Sequence, residues 1–231
     1  MYELNQKTIE DMIKLQDSLN STIVGNNWRE ILSPFNFFIA IRQEVSEYID
    51  CFDWKWWKHM DVDLDNAKLE LVDIWHFLLS YCMLTPENTK TLIDLDYNLV
   101  SGIDYFDEGI LKDWKDSIDL IIRDILRFEH HLYEYTTKYI TTYDPSSLEA
   151  ALTRFFIIVK SFMTTKDFVN LYYAKNLLNL ERTKNGYKDG TYAKFVNGIE
   201  DNKLLIEYIK NLPEATTFEE FKKYIRDYFS N

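Results

Sequence analysis

Apolar side chains recur every three to four residues along most of this chain, the interval of a helix that hides one face. The pattern and its punctuation predict helices at about 6–20, 34–52, 65–84, 86–100, 112–140, 145–164, 166–184, 200–211 and 218–229. Three of the starts share a signature. Ser33-Pro34, Thr85-Pro86 and Asp144-Pro145 each set a capping side chain before a proline at the first helical position, where the missing N–H is no loss. Thr217-Phe218-Glu219-Glu220 reads as a capping box for the last helix. No run alternates long enough to predict a strand, and six glycines and four prolines are too few for a turn-rich β protein. No internal repeat or low-complexity segment interrupts the pattern. The expectation is all-α: one multi-helix bundle over residues 1–231.

Two pairs of acids sit where the pattern is most apolar. Glu44-x-x-Glu47 lies inside Phe37 to Ile49, and Glu70-x-x-Asp73 inside Leu69 to Leu79, which is apolar on nearly every side. Such all-round hydrophobicity marks a helix surrounded by protein. Residues three apart share a helix face, so each pair presents two carboxylates side by side. An ionised carboxylate buried without a partner is strongly unfavourable, and no Lys or Arg lies within the second run to neutralise it. Four convergent acids without a basic partner suit a hard divalent cation, and Mg²⁺ adds a demand for substrate phosphate oxygens. The bland alternative is a pair of solvated faces balanced by surface lysines. Two such pairs on adjacent apolar helices favour the metal site.

Composition narrows the partners. The formal charge of −12 disfavours nucleic-acid backbones and anionic membranes, though a metal and local cations still permit a phosphorylated small molecule. Cys51 and Cys82 read as reduced core thiols, and no Cys-x-x-Cys offers a structural zinc site. Neither a signal peptide nor a membrane-length apolar run is evident, so a cytoplasmic protein is expected.

Other stretches carry chemistry of their own. Asn185-Gly186-Tyr187-Lys188-Asp189-Gly190-Thr191-Tyr192-Ala193-Lys194 combines glycines with interleaved donors; it reads either as a ligand-embracing loop or as a helix end capped at Gly186. Trp54-Lys55-Trp56-Trp57-Lys58 is either core or an aromatic plane for a base. Gln16 and Asn20 stand one turn apart; amides there could read a nucleobase edge or lie on an exposed helix surface.

Taken in order, these segments resemble the dimeric all-α dUTPases, within the all-α nucleoside triphosphate pyrophosphatase superfamily. The resemblance rests on Leu15-Gln16-x-x-Leu19-Asn20, Glu44-x-x-Glu47, Trp54-Lys55-Trp56-Trp57-Lys58, Glu70-x-x-Asp73 with Val72-Asp73-Ile74-Trp75-His76-Phe77, and Asn185-Gly186-Tyr187-Lys188-x-Gly190-x-Tyr192-x-Lys194, continued by Gly198-Ile199-Glu200-Asp201-Asn202. It implies Mg²⁺-dependent hydrolysis of dUTP to dUMP and pyrophosphate, and of dUDP to dUMP and phosphate, by a homodimer. Such an activity limits uracil in DNA and supplies dUMP. The resemblance further implies that Glu44, Glu47, Glu70 and Asp73 hold metal, with one of Glu44 and Glu47 activating water and Asp73 near the sugar. Gln16 and Asn20 would read uracil, with Trp56 and Phe77 as walls and His76 nearby. Lys175, Asn179, Arg182, Tyr187, Lys188, Lys194 and Asn202 would hold sugar and phosphates. Phe195 departs from the Trp common at that place, and residues 101–165 carry no recognised motif.

Competing expectations remain. A related pyrophosphatase acting on dCTP, or on nucleoside triphosphates generally, would share the metal and phosphate motifs. Asp73-x-x-His76 hints at a di-iron bundle, but that fold takes a Glu-x-x-His motif from each of two helices, and Glu44-x-x-Glu47 does not supply one. A non-enzymatic helical interaction protein is the third reading.

Overall fold

Helix α1 (Gln6–Ile23) begins where the Asn5 side chain accepts the Thr8 N–H, and α3 (Pro34–Asp50) begins at Ser33, whose own N–H donates to the Asn36 side chain. Between them, α2 (Trp28–Ile31) is one short turn that the periodicity did not predict. It is held by single contacts: Trp28 Nε1 donates to Asp17 at 2.8 Å, and Arg29 pairs with the same carboxylate at 2.9 Å. In the computed structural model the described residues are 4–97, 114–138, 145–196, 198–211 and positions 220, 222, 223 and 227. Within them follow α4 (Leu64–Cys82), α5 (Pro86–Asp94), α6 (Trp114–Lys138), α7 (Pro145–Phe162), α8 (Thr165–Lys184), strands β1 (Phe195–Val196) and β2 (Ile199–Glu200), and α9 (Asp201–Lys210).

The all-α expectation holds, with one small exception. β1 and β2 pair antiparallel as a two-residue ribbon, Phe195 opposite Glu200, around Gly198 in the left-handed region. Two residues per strand leave no alternation to detect. Pro34 and Pro86 stand at the first turns of their helices as expected, and Thr85 caps α5 through the Asn88 N–H. Helix α5 stops at Asp94 rather than reaching residue 100, because Leu95 turns to extended backbone (φ −57°, ψ 134°) and is buried there. Asp144, the Thr217 capping box and the helix expected at 218–229 lie outside the described residues or fall on isolated ones.

Helix α4 is the hub. It packs against α1, α3, α5, α7 and α8, which is what its all-round apolar sequence demands. Trp75 lies fully buried at this junction, stacked on Phe155 of α7 (centroids 5.5 Å apart, planes 9° apart) and edge-on to Phe156 and Phe168. Burying rings of this size contributes on the order of 1.5–3 kcal/mol each relative to exposure. The hub is therefore rigid, and whatever α4 carries on its remaining face is held in place. Cys51 and Cys82 are both free and buried. No helix among the described residues is long and apolar enough to cross a membrane.

Candidate active site

Three of the four expected acids converge. Carboxylate oxygens of Glu44 and Glu47 on α3 and Glu70 on α4 lie within 4.8 Å of one another. Two of them are steadied by a neighbour: Gln43 Nε2 donates to Glu47 Oε1 at 2.8 Å, and Asn66 Nδ2 to Glu70 Oε1 at 2.9 Å. Burial, followed by the charges of Asp73, Glu70 and Glu47, pushes the Glu44 carboxyl up to about 8. Burial and Asp73 raise Glu70 to about 7, although Lys175 opposes the rise. Crowded carboxyls driven toward their protonated forms are a donor set in want of positive charge. Hard oxygen ligands of this kind fit a divalent cation such as Mg²⁺.

The fourth acid corrects an expectation. Asp73 is not left without a basic partner: Lys175 of α8 brings its ammonium to 2.9 Å from Asp73 Oδ2. Lys175 is itself buried and also donates to Asn202 Oδ1 at 2.9 Å. The partner was invisible locally because it arrives from another helix.

The crowding has a measurable consequence. A carboxyl whose value is raised on folding contributes stability that is complete below its unfolded value and lost as pH climbs through its folded value. For Glu44 and Glu70 that window runs from about 4.5 to about 8. With metal chelated, the urea midpoint is expected to fall as pH rises across this window; Mg²⁺ should flatten the slope by favouring the ionised forms. Identical slopes with and without Mg²⁺ would exclude these acids as its ligands.

Farther along α4 lies a second cluster. Gln16 and Asn20 of α1 are not on an exposed surface; they are 3% and 7% exposed. Gln16 Nε2 donates to Asn20 Oδ1 (3.0 Å) and to Ser80 Oγ (3.1 Å), and Asn20 Nδ2 donates to the same hydroxyl (2.9 Å). Asn176 Nδ2 reaches Gln16 Oε1 at 3.4 Å. His76 packs tilted against Tyr172, with centroids 4.7 Å and planes 32° apart. Its Nδ1 sits 2.7 Å from the Val72 carbonyl, which can only accept, so Nδ1 carries the proton and Nε2 is a bare acceptor. That Nε2 is buried with no hydrogen-bond partner among the described residues. Burial lowers the imidazole to about 4, so it is neutral near pH 7. Phe77 is half-buried beside this cluster on α4, whereas Trp56 stands 90% exposed, its ring edge against Trp57. The Trp54–Lys58 segment is therefore not core.

The third cluster joins α8 to α9. Arg182 Nε and Nη2 both meet the fully buried Asp201, the former at 2.8 Å, while Nη2 reaches Asn202 (3.0 Å) and Nη1 reaches Asn179 (3.3 Å). Four of the five guanidinium N–H groups are thus engaged inside the protein. Tyr192 adds its hydroxyl to Asp201 at 3.0 Å. Arg182 and Lys194 both approach the Tyr187 ring, at 5.8 and 5.5 Å from its centroid, and Lys188 leans on the Ile23 carbonyl at 3.4 Å. Gly186 closes the end of α8 at φ +89°, and a Cβ there would come within 2.0 Å of Thr191 Oγ1. Both demands on this glycine arise within the loop.

Ser80 and Asp201 were missed as site residues. Ser80 is one small hydroxyl in an apolar helix, the only hint being its four-residue step from His76. Asp201 looks like an ordinary acid at a helix start, which hides its pairing with Arg182.

A family model described as dUTPase matches residues 8–187, from the first turns of α1 past the end of α8. Gln16, Asn20, the four acids and Arg182 fall inside that span; Lys188, Lys194, Asp201 and Asn202 follow it. No curated protein matches the chain.

Proposed function

The chain belongs to the dUTPase family and hydrolyses dUTP, and we propose that it does so with Mg²⁺ at the Glu44–Glu47–Glu70 cluster, releasing dUMP and pyrophosphate and cleaving dUDP likewise to dUMP and phosphate. One observation carries the reading. Glu70, Asp73, His76, Phe77 and Ser80 follow one another along a single side of α4, carboxylates at one end and the buried amide network at the other. Their rise of about 15 Å sets the phosphate end and the base end of a nucleotide on one rigid ruler.

Glu44, Glu47 and Glu70 would hold the cation, with Asp73 as the fourth ligand. Held there, Mg²⁺ would supply Lewis-acid chemistry, offsetting phosphate charge and making water more acidic. Glu47, the most exposed of the three, accepts the proton of the attacking water, steadied by Gln43. Lys175, Lys188 and Lys194, with Tyr187, bear on the phosphates, where cationic donors stabilise the charge of the leaving group. Arg182, with most of its donors engaged by Asp201, Asn202 and Asn179, braces that region. At the other end, the bare His76 Nε2 accepts the uracil N3–H while Asn20 donates to a ring carbonyl. Phe77 and Trp56 flank the ring, and Trp56 swings in from solvent to do so.

The assembly is proposed as a two-fold dimer of single-domain chains. Exposed Phe35 and Ile39 on α3, beside Leu126 and Tyr133 on the neighbouring α6, supply apolar surface for it.

The test is a turnover panel of dUTP, dTTP, dCTP, UTP and dUDP with Mg²⁺, on a preparation whose mass is read by light scattering. dUTP and dUDP are expected to turn over, with dCTP at least about tenfold slower, the scale of one mismatched polar contact, and dTTP slowed by the bulk of its 5-methyl group. Equal hydrolysis of dCTP and dUTP would remove the base reading and leave a general pyrophosphatase.

A further inference from the structure

Ser80 is fully buried and its hydroxyl is saturated. The O–H donates to the His76 carbonyl one turn earlier (2.8 Å), and the two lone pairs accept from Gln16 Nε2 and Asn20 Nδ2. That settles which way both amides face. Were either turned over, its carbonyl oxygen would confront an oxygen whose hydrogen is already engaged, and a buried acceptor against an acceptor is strongly unfavourable. Gln16 consequently has both N–H groups engaged, on Asn20 and Ser80, and its carbonyl directed at Asn176. Asn20 has one N–H on Ser80 and its carbonyl on Gln16. The end of the chain of bonds is the second N–H of Asn20.

We propose that Ser80 is a positioning residue that sets base specificity: by fixing the Asn20 amide, it presents an N–H donor where uracil carries a carbonyl oxygen and cytosine carries an amino group. The proposal rests on the reading that Asn20 meets the base. Uracil then completes the bond, whereas the cytosine amino group brings donor against donor. Ser80 touches no nucleotide; it acts through Asn20.

Steady-state kinetics with dUTP and dCTP test this in Ser80→Ala and Ser80→Thr, each checked by thermal melting. In Ser80→Ala the acceptor shared by both amides is gone, and Asn20 can turn its carbonyl outward as Gln16, which otherwise donates to that carbonyl, turns with it. The ratio of kcat/KM for dUTP over dCTP is expected to fall about tenfold or more, with KM rising for dUTP and dropping for dCTP. A gain with dCTP is not what a packing defect produces. Ser80→Thr keeps the hydroxyl and is expected to restore the ratio. Should Ser80→Ala fail to fold, Ser80→Cys takes its place, since a thiol fills the site and accepts hydrogen bonds only weakly. An unchanged ratio in the folded variant, or an equal loss for both nucleotides, overturns the proposal. Asn20→Ala separates the levels. If it abolishes the preference while Ser80→Ala keeps it, Ser80 alone is excluded; if it too keeps the preference, the base reading beneath has failed.

Discussion

Replacing Glu47 by Gln is expected to leave folding untouched and to slow dUTP hydrolysis by at least about a hundredfold, the scale of losing a positioned general base. Glu47 lies on the exposed edge of the acidic cluster, and Gln is nearly its isostere, so no cavity opens and no buried group is orphaned. What disappears is the negative charge and the proton acceptor. Glu44 is no substitute, because it sits deeper than Glu47, against Glu70, away from the exposed edge that water reaches. The loss should appear in kcat for every nucleotide the protein accepts, in contrast to changes at Asn20, which should act through KM. A Glu47→Gln protein with near wild-type kcat in Mg²⁺ would take this residue out of the chemistry.

Much of this site can be read from the chain because its ends are local. Glu44 and Glu47, or Glu70 and Asp73, are three residues apart, and helical geometry alone puts each pair on one face. The centrality of α4 follows as directly from its apolar sequence. The ion pair between Asp73 and Lys175 could not be read in that way. Nothing near Asp73 announces a cation, and the pairing exists only because α8 packs on α4. The burial of Gln16 and Asn20 depends likewise on helices far along the chain, above all on Ser80. Short elements escaped for another reason: α2 and each strand of the β1–β2 ribbon span barely one repeat of their own periodicity, too little for a pattern to recur.

Asp201→Ala is expected to destabilise the fold by about 3–5 kcal/mol, because it abandons a guanidinium in a buried position. In a chain of this size that corresponds to a drop in Tm on the order of 10 °C. Asp201 is fully buried, takes two contacts from Arg182, and anchors the Tyr192 hydroxyl. Removing it takes the counter-charge from the buried guanidinium and the acceptor from the Tyr192 hydroxyl. Converting the pair together to Arg182→Met and Asp201→Leu should recover much of the loss, since the uncompensated charge leaves with its partner. If the single variant melts within a degree or two of wild type, the pair is not the clamp between α8 and α9 that its geometry indicates.

Helix α4 also shapes how this protein can drift. The same run of residues supplies packing to five neighbouring helices and side chains to both ends of the proposed nucleotide site. A substitution there that retunes base preference is at once a substitution in the core, judged on volume before chemistry. Innovation is thus channelled to the other walls. The α1 amides meet α4 from one side, and the Trp54–Lys58 loop stands in solvent, where an exchange disturbs little else. Descendants with altered appetite for bases should differ first at those two borders, with the central helix as the slowest part of the lineage to change.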